Sequence, residues 1–342
     1  MNNILVTGGG GYIGTQIIKD LLDNEYNVKC VDRFYFGMDI ISPFIEVDNF
    51  SSIQKDIRNL HTQDFKDIDA VIDLAGISND PSCDLDPIIT NSINHQGALH
   101  CAQIAKKSGV KRYIMASSCS IYGANSASQL SEDSPTNPIS LYAESKINAE
   151  KSIAKLSSQG FCVTFLRLAT VYGLSLRMRF DLIVNIMTMH AFKSNRIIVL
   201  GGGKQWRPLI HIKDVSSAFI LTLQSPKNKI NGEKFNVGSN DQNFKVIQVA
   251  NIIKDRIKNI DVVIAPDDAD KRSYHVNFDK INNILDYKVK HRIEYGIDQV
   301  YNALLNGDVD PDSVKTVTVQ YYKYLMEADK IISKVKIEGS LF

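Results

Sequence analysis

The chain predicts an α/β protein built on a doubly wound parallel sheet, with a smaller α/β domain interleaved into it. Three observations carry that expectation. Short apolar strands alternate with stretches of helical periodicity through the first half, and such alternation means parallel strands joined by right-handed crossovers. Gly8, Gly11 and Gly14 punctuate the turn between the first strand and the first helix. Asp32 ends the second strand, about 20 residues further on.

The elements follow in order. ILVTG at 4–8 reads as a buried strand, and 12–25 as a helix with Ile13, Ile17, Leu21 and Leu22 at helical spacing. NVKCVD at 27–32, DAVIDLAG at 69–76, KRYIMASS at 111–118 and FCVTFLRLA at 161–169 read as further strands, with helices near 88–108 and 140–159. After about residue 173 the regularity fades, and IIVLGGGKQW, EKFNVG and VVIAPDD suggest a smaller domain interleaved with late elements of the sheet. The expected division is 1–175 for the first domain, with 208–238 returning to it, and 176–207 with 239–342 for the second. The tail beyond about 310 reads as helical and mixed in charge.

Composition narrows the class. A chain of 342 residues, 44% hydrophobic and 23% charged, is an ordinary globular chain long enough for one large domain or two sharing a core. Its formal net charge of +1, with Lys and Arg scattered, offers no basic stripe for nucleic acid or an anionic membrane. No run approaches the roughly 20 apolar residues that span a bilayer, and the first strand begins at once without a leader, so a cytoplasmic protein is expected. Cys30, Cys83, Cys101, Cys119 and Cys162 are odd in number, widely spaced and without a C-x-x-C pair. Neither a disulfide framework nor a metal site is expected from them.

Two motifs carry chemistry. Glycines between a strand and a helix let the backbone turn sharply and approach a pyrophosphate, while the helix N-terminus supplies N–H donors. A carboxylate at Asp32 would accept hydrogen bonds from adenosine ribose hydroxyls and repel a 2′-phosphate, which favours NAD over NADP; Arg33 beside it would tolerate such a phosphate. The second motif is Tyr142-x-x-x-Lys146. Residues i and i+4 share a helix face, so Lys146 can bring its charge to the Tyr142 hydroxyl and make a phenolate base plausible at neutral pH. Ser118 ends the preceding strand. Alone, either motif is a weak signal; in this order and context they point to a redox enzyme.

The series as a whole resembles the extended short-chain dehydrogenase/reductase family, in particular its nucleotide-sugar epimerases and dehydratases such as the UDP-glucose 4-epimerase-like enzymes. The resemblance covers roughly residues 1 to 300. It rests on TGGGGYIG, Asp32, KDIRN with Asp56 and Ile57, DLAG at 73–76, Asn94, SSCSIYG, YAESK, LRLATVYG at 166–173, QWRPLIHIKDV at 205–215 and KRSYHVNFDK at 271–280.

It implies a Rossmann domain holding NAD and a nucleoside-diphosphate sugar bound between two domains of a homodimeric enzyme, with helices near 88–108 and 140–159 forming the interface. Tyr142 would be the general base, Lys146 its partner and a nicotinamide-ribose ligand, and Ser118 a second hydrogen bond to the reacting sugar oxygen. Cofactor contacts would come from Gly8, Gly11, Tyr12, Ile13, Gly14, Asp32, Arg33, Asp56, Ile57, Leu74, Ala75, Gly76, Asn94 and Ser117. Arg207 and Arg272 would grip the sugar diphosphate, and Thr170, Arg179 and Asn185 are further candidates for substrate contact; His211 reads as structural.

The reaction implied is removal of a sugar hydroxyl proton by Tyr142, with oxidation of that carbon to a 4-keto sugar and return of hydrogen to the opposite face. The alternatives are a 4-dehydrogenase, a 4,6-dehydratase or a non-catalytic NAD-binding module. Family dehydratases carry an Asp-Glu pair after the active-site Ser or Thr, where this chain has Cys119 and Ser120. Cys119 therefore stands as an acid–base candidate or as packing. Thr170 also departs from the usual Asn, and Leu174 from the usual Pro.

Overall fold

A computed structural model of the chain describes residues 2–125, 129–266 and 272–341. Asp267 and Asp268 of VVIAPDD and Lys271 of KRSYHVNFDK lie outside the described residues. Within them the strands are β1 (Asn3–Thr7), β2 (Asn27–Asp32), β3 (Phe50–Gln54), β4 (Ala70–Asp73), β5 (Arg112–Ser118), β6 (Cys162–Leu168), β7 (Thr170–Tyr172), β8 (Arg196–Leu200), β9 (Trp206–His211), β10 (Lys234–Val237), β11 (Asn243–Lys245) and β12 (Asp261–Ala265). The helices used below are α1 (Tyr12–Asp23), α2 (Ala98–Lys107), α3 (Leu141–Ala154), α4 (Ile183–Ser194), α5 (Ile212–Gln224), α6 (Val246–Arg256), α7 (Ile293–Leu305) and α8 (Thr318–Val335).

Seven strands form one sheet in the order β10-β6-β5-β4-β1-β2-β3, and every pairing in it is parallel. The chain begins in the middle, winds outward through β2 and β3, then returns to β4 on the other side of β1. That reversal leaves a crevice beyond the carboxyl ends of β1 and β4, where open α/β sheets bind ligands. β4 and β6 are buried along their whole length, as expected of inner parallel strands covered on both faces. β3 is not among the strands expected: as an edge strand, FSSIQ needs no continuous apolar run and is only partly buried.

Apolar residues on both sides hold the helices to the sheet. Ile17, Ile18 and Leu21 of α1 share a core with Val215, Ala218 and Phe219 of α5. On the opposite face Cys101, Ala102 and Ala105 of α2 meet Ala149 and Ile153 of α3. A third core joins α4, α6 and α7 to β8 and β9 through Val184, Ile197, Leu209, Val249 and Ile297. Around it lie a three-stranded sheet, β11-β9-β7, and a two-stranded one, β12-β8.

Two departures from the sequence expectation bear on the site. The helix expected near 88–108 is broken by a π turn at Ser92–Gly97 that contains the buried Asn94; such turns are frequent at functional sites. The helical tail docks through its first two turns: Tyr321 stacks on Phe36 at 5.2 Å between ring centroids, and Tyr322 meets Tyr35 edge-on at 5.9 Å. α8 thus covers the loop that follows Asp32. No helix among the described residues is long and apolar enough to cross a membrane, and all five cysteines are buried and unpaired with one another.

Candidate active site

The crevice at β1 and β4 is a cavity walled by the glycine turn. Gly8 has φ +68°, and a Cβ there would lie 2.8 Å from the Ala75 nitrogen; one at Gly14 would lie 2.4 Å from the Gly8 oxygen. Only glycine lets the three backbone segments approach this closely. α1 starts behind Gly11 without a side-chain cap, so its first N–H groups suit an anion. Thr7 donates to Asp73 at 2.5 Å and accepts from the Ala75 nitrogen at 3.3 Å, which fixes the end of β1 to the DLAG segment.

Asp32 is held at the rim of the same cavity by the amides of Gly10 at 3.0 Å and Phe34 at 2.7 Å. Burial pushes its carboxyl up against those hydrogen bonds. Arg33 is drawn away from Asp32 to Asp56, at 2.9 Å, and stacks over Tyr35. Burial raises the Asp56 carboxyl, but Arg58 and Arg33 overcome it and hold the group well below the usual carboxylate range. Tyr12, Ile13, Ile57, Leu74, Ala75, Gly76, Ser117, Tyr142 and Lys146 complete the wall. These residues fit a dinucleotide: a cradle too tight for any Cβ, an anion-ready helix end and a carboxylate at ribose distance along the strand.

Asn94 does not line this cavity. Its side chain accepts from the Ile77 amide at 2.7 Å and donates to the Ile77 carbonyl at 2.9 Å and to Ser145 at 3.3 Å. It clamps the loop after Gly76, because the π turn aims it there.

Tyr142 opens α3, which Ser140 caps by accepting from the Ala143 amide at 3.3 Å. One turn on, Lys146 donates to the Ala116 carbonyl at 2.9 Å and holds its ammonium 5.9 Å from the Tyr142 ring centroid. Ser118 lies close enough to the Tyr142 phenol to oppose the rise of its pKa, and its oxygen accepts from the Ser120 amide at 3.1 Å. The expected lowering of the phenol by Lys146 is not what the surroundings produce. Burial pushes Tyr142 well above its ordinary value, Cys83 and Asp80 add to that, and Arg179 with Ser118 oppose it. Burial also lowers Lys146, against the pull of Asp73.

Tyr142 lies in the wall of a second cavity as well, together with Ser118, Ser120, Thr170, Arg179, Arg207 and Arg272. Arg207 donates to the Trp206 carbonyl at 2.9 Å and to the Arg272 carbonyl, with its guanidinium 5.7 Å from the Tyr274 ring centroid. Arg272 pairs with Asp80, and Thr170 lies close enough to the Tyr274 phenol to oppose the rise that burial gives it. Arg179 is paired with Asp181 at 2.8 and 3.0 Å. The buried Ser120 hydroxyl has no hydrogen-bond partner among the described residues.

Two sequence candidates fall elsewhere. Asn185 is fully buried and bonded to the Gly173 amide at 3.0 Å, the Tyr12 phenol at 3.2 Å and the Arg179 carbonyl at 3.0 Å; it is a brace and lines neither cavity. Cys119 also lines neither. Its thiol donates to the Arg167 carbonyl at 3.2 Å, and burial pushes it far above the ordinary thiol range. Adjacent residues of an extended strand end point to opposite sides, so Ser118 facing the cavity turns Cys119 away. Sequence reading missed Phe36, Arg177, Thr318 and Tyr322, all in the wall of the first cavity.

With this geometry in place, comparison with known proteins decides the family. The family model of the NAD dependent epimerase/dehydratase family matches residues 4–238. The chain belongs to that family. Over 311 residues it is 28% identical to a putative UDP-glucose 4-epimerase of Methanocaldococcus jannaschii, covering 89% of this chain and 99% of the relative. It is 27% identical to UDP-glucuronic acid decarboxylase 1 of Xenopus tropicalis, of which it spans 59%. Among solved structures, UDP-N-acetylglucosamine 4-epimerase from Methanobrevibacter ruminantium superposes with a TM-score of 0.80 at 24% identity, covering 90% of this chain and 99% of that one. A dTDP-glucose 4,6-dehydratase from Streptomyces venezuelae does so with a TM-score of 0.80 at 23% identity, again over 90% and 99%. Those two likenesses establish the shared fold. The cofactor of this nucleotide-sugar epimerase/dehydratase family is NAD, and the first cavity fits it.

Replacing Cys119 by Ala should cost about 1 to 2 kcal/mol of stability through lost packing and leave kcat unchanged. Urea unfolding together with turnover checks this; a collapse of kcat in a stably folded variant would return Cys119 to the chemistry.

Proposed function

We propose that this chain is an NAD-dependent nucleotide-sugar epimerase that works through a transient 4-keto sugar, with Tyr142 as its base. The observation that carries the reading is the position of Tyr142 in the walls of both cavities, with Ser118 beside it in the wall of the second. A group that moves a proton on the sugar while the same carbon changes oxidation state has to stand at such a junction. The likeness to a putative UDP-glucose 4-epimerase across nearly its whole length supports the same choice.

In this reading residues 1–175 and 208–238 supply most of the cofactor site, joined by Arg177, Thr318 and Tyr322, while 176–207 and 239–342 otherwise hold the sugar nucleotide. Arg207 and Arg272 take the substrate diphosphate, since a guanidinium stays charged and binds phosphate oxygens through a planar fork. Ser118, Ser120 and Thr170 offer hydroxyls to the sugar from the wall of the second cavity. NAD, when bound, supplies the redox chemistry and a positive charge that favours the phenolate. Tyr142 Oη takes the proton of the sugar hydroxyl and later returns it. Lys146, pinned on the Ala116 carbonyl, keeps its ammonium on the flank of the phenol.

A 4,6-dehydratase needs a further acid and base to eliminate water. Among the described residues lining the second cavity the carboxylate is Asp181, and it is engaged by Arg179 and Asn79. Neither Cys119 nor Ser120 replaces the missing pair. We further propose a cytoplasmic homodimer packed through α2 and α3, next to which Ile88 is 83% exposed; light scattering that reads a monomer would exclude it.

Tyr142→Phe should lower kcat/KM by roughly 100- to 10,000-fold in an assay of UDP-, GDP-, CDP- and dTDP-sugar isomerisation. Because the phenol is raised, the phenolate fraction grows as pH rises, so the wild-type rate should climb on the alkaline side and the variant's should not. A variant within a few-fold of wild type, with the same pH profile, overturns the assignment of the base.

A further inference from the structure

We propose that Arg177, held in place by the C-terminal helix α8, is the counter-charge for the cofactor's diphosphate. The inference rests on the family's cofactor and is independent of which sugar is turned over.

Arg177 is 4% exposed and lies in the wall of the first cavity with Gly10, Gly11 and Asp32. Its guanidinium packs 3.7 Å from the centroid of the Phe36 ring, and Nη2 donates to the Thr318 hydroxyl at 2.9 Å. Nε is buried with no hydrogen-bond partner among the described residues. No carboxylate pairs with Arg177 among the ion pairs of those residues: Asp181, the acid nearby in sequence, is held by Arg179. Burial therefore pushes the Arg177 guanidinium down to about 9, with Arg179 adding to the effect.

An unpaired buried cation is costly unless an anion completes the site. The cavity that Arg177 faces is the one whose glycine turn and α1 N-terminus suit phosphate oxygens. Arg177 lies near both Tyr12 and Asp32 in that wall. Two cofactor phosphates share this chemistry: the diphosphate, and the 2′-phosphate of NADP. The Asp32 carboxylate at the ribose end repels the second, so the diphosphate is the ligand inferred.

Thr318 also lies close enough to Asp181 to help lower its carboxyl, so it stands near both Arg177 and the Arg179–Asp181 pair. It is the first residue of α8. The family model ends at residue 238, so this support comes from a segment beyond the part of the chain that defines the family. Phe36, packed between Arg177 and the Tyr321 and Tyr322 rings, fastens the same corner from the other side.

The test is calorimetric titration of the cofactor-stripped full-length protein, wild type and variants, with NAD, ADP-ribose and NADP, and ligand-detected NMR with adenosine. Arg177→Gln should weaken NAD and ADP-ribose alike, by roughly 10- to 100-fold, the usual effect of losing a hydrogen bond to a charged group. Adenosine, which has no phosphate, should bind as before. Thr318→Val, which leaves the guanidinium itself intact, should weaken ADP-ribose by a smaller factor and spare adenosine. Equal weakening of adenosine and ADP-ribose would show that Arg177 only supports packing and would overturn the proposal. So would unchanged ADP-ribose affinity, or a loss confined to NADP.

Discussion

The geometry of this molecule depends on one buried amide. Asn185 of α4 binds both the amide and the carbonyl side of Gly173, the Tyr12 phenol and the Arg179 carbonyl, while Tyr12 itself donates to the Gly173 carbonyl at 2.6 Å. Tyr12 belongs to the first turn after the glycines, and Gly173 to the chain leaving β7. Those bonds register the cofactor cavity against the second cavity. A fully buried, fully bonded polar group of this kind fixes one arrangement, because any slip strands donors and acceptors without water. A reaction carried out between two bound molecules needs that register more than it needs flexibility.

Electrostatics follow from the register. Arg177 and Arg179 enter on the same short segment, and the nearby Asp181 carboxylate is held by Arg179 alone of the two, so positive charge is left over at the cofactor cavity. The second cavity receives Arg207 and Arg272 from distant parts of the chain, brought together by β9 and the segment after residue 271. In the proposed reading both cavities take phosphorylated ligands, with Tyr142 in the walls of both. The chain's net charge near neutral conceals this, because the arginines are internal and local.

Much of this could be read from residues alone, and the reason is locality. The glycine turn, Asp32 and the Tyr142–Lys146 pair depend on spacing along one strand, turn or helix, and the structure brings them to one cavity. Direction was harder to read. Asn94, Cys119 and Asn185 lie in or next to recognised motifs, but their side chains point away from both cavities: a π turn, the alternation at a strand end and the brace at Tyr12 decide that. The break in the 88–108 helix had no sequence sign beyond Gly97, whose Cβ would lie 3.0 Å from Ile57. Arg177, Thr318 and Tyr322 were missed because their roles depend on the tail folding back over residues 34–36, a contact between positions almost 300 apart. The available hints were the Arg-x-Arg pair at 177 and 179 and the adjacent Tyr321 and Tyr322. A Lys146 that lowers the phenol was also expected; burial, which motif reading does not weigh, dominates instead.

The most direct test of the central claim is to incubate the purified protein with its nucleotide sugar in deuterium oxide and weigh the product by chromatography coupled to mass spectrometry. An epimerase that moves hydrogen within one site predicts a new isomer of unchanged mass with no deuterium on carbon. Loss of water, loss of two hydrogens or uptake of carbon-bound deuterium would contradict that account.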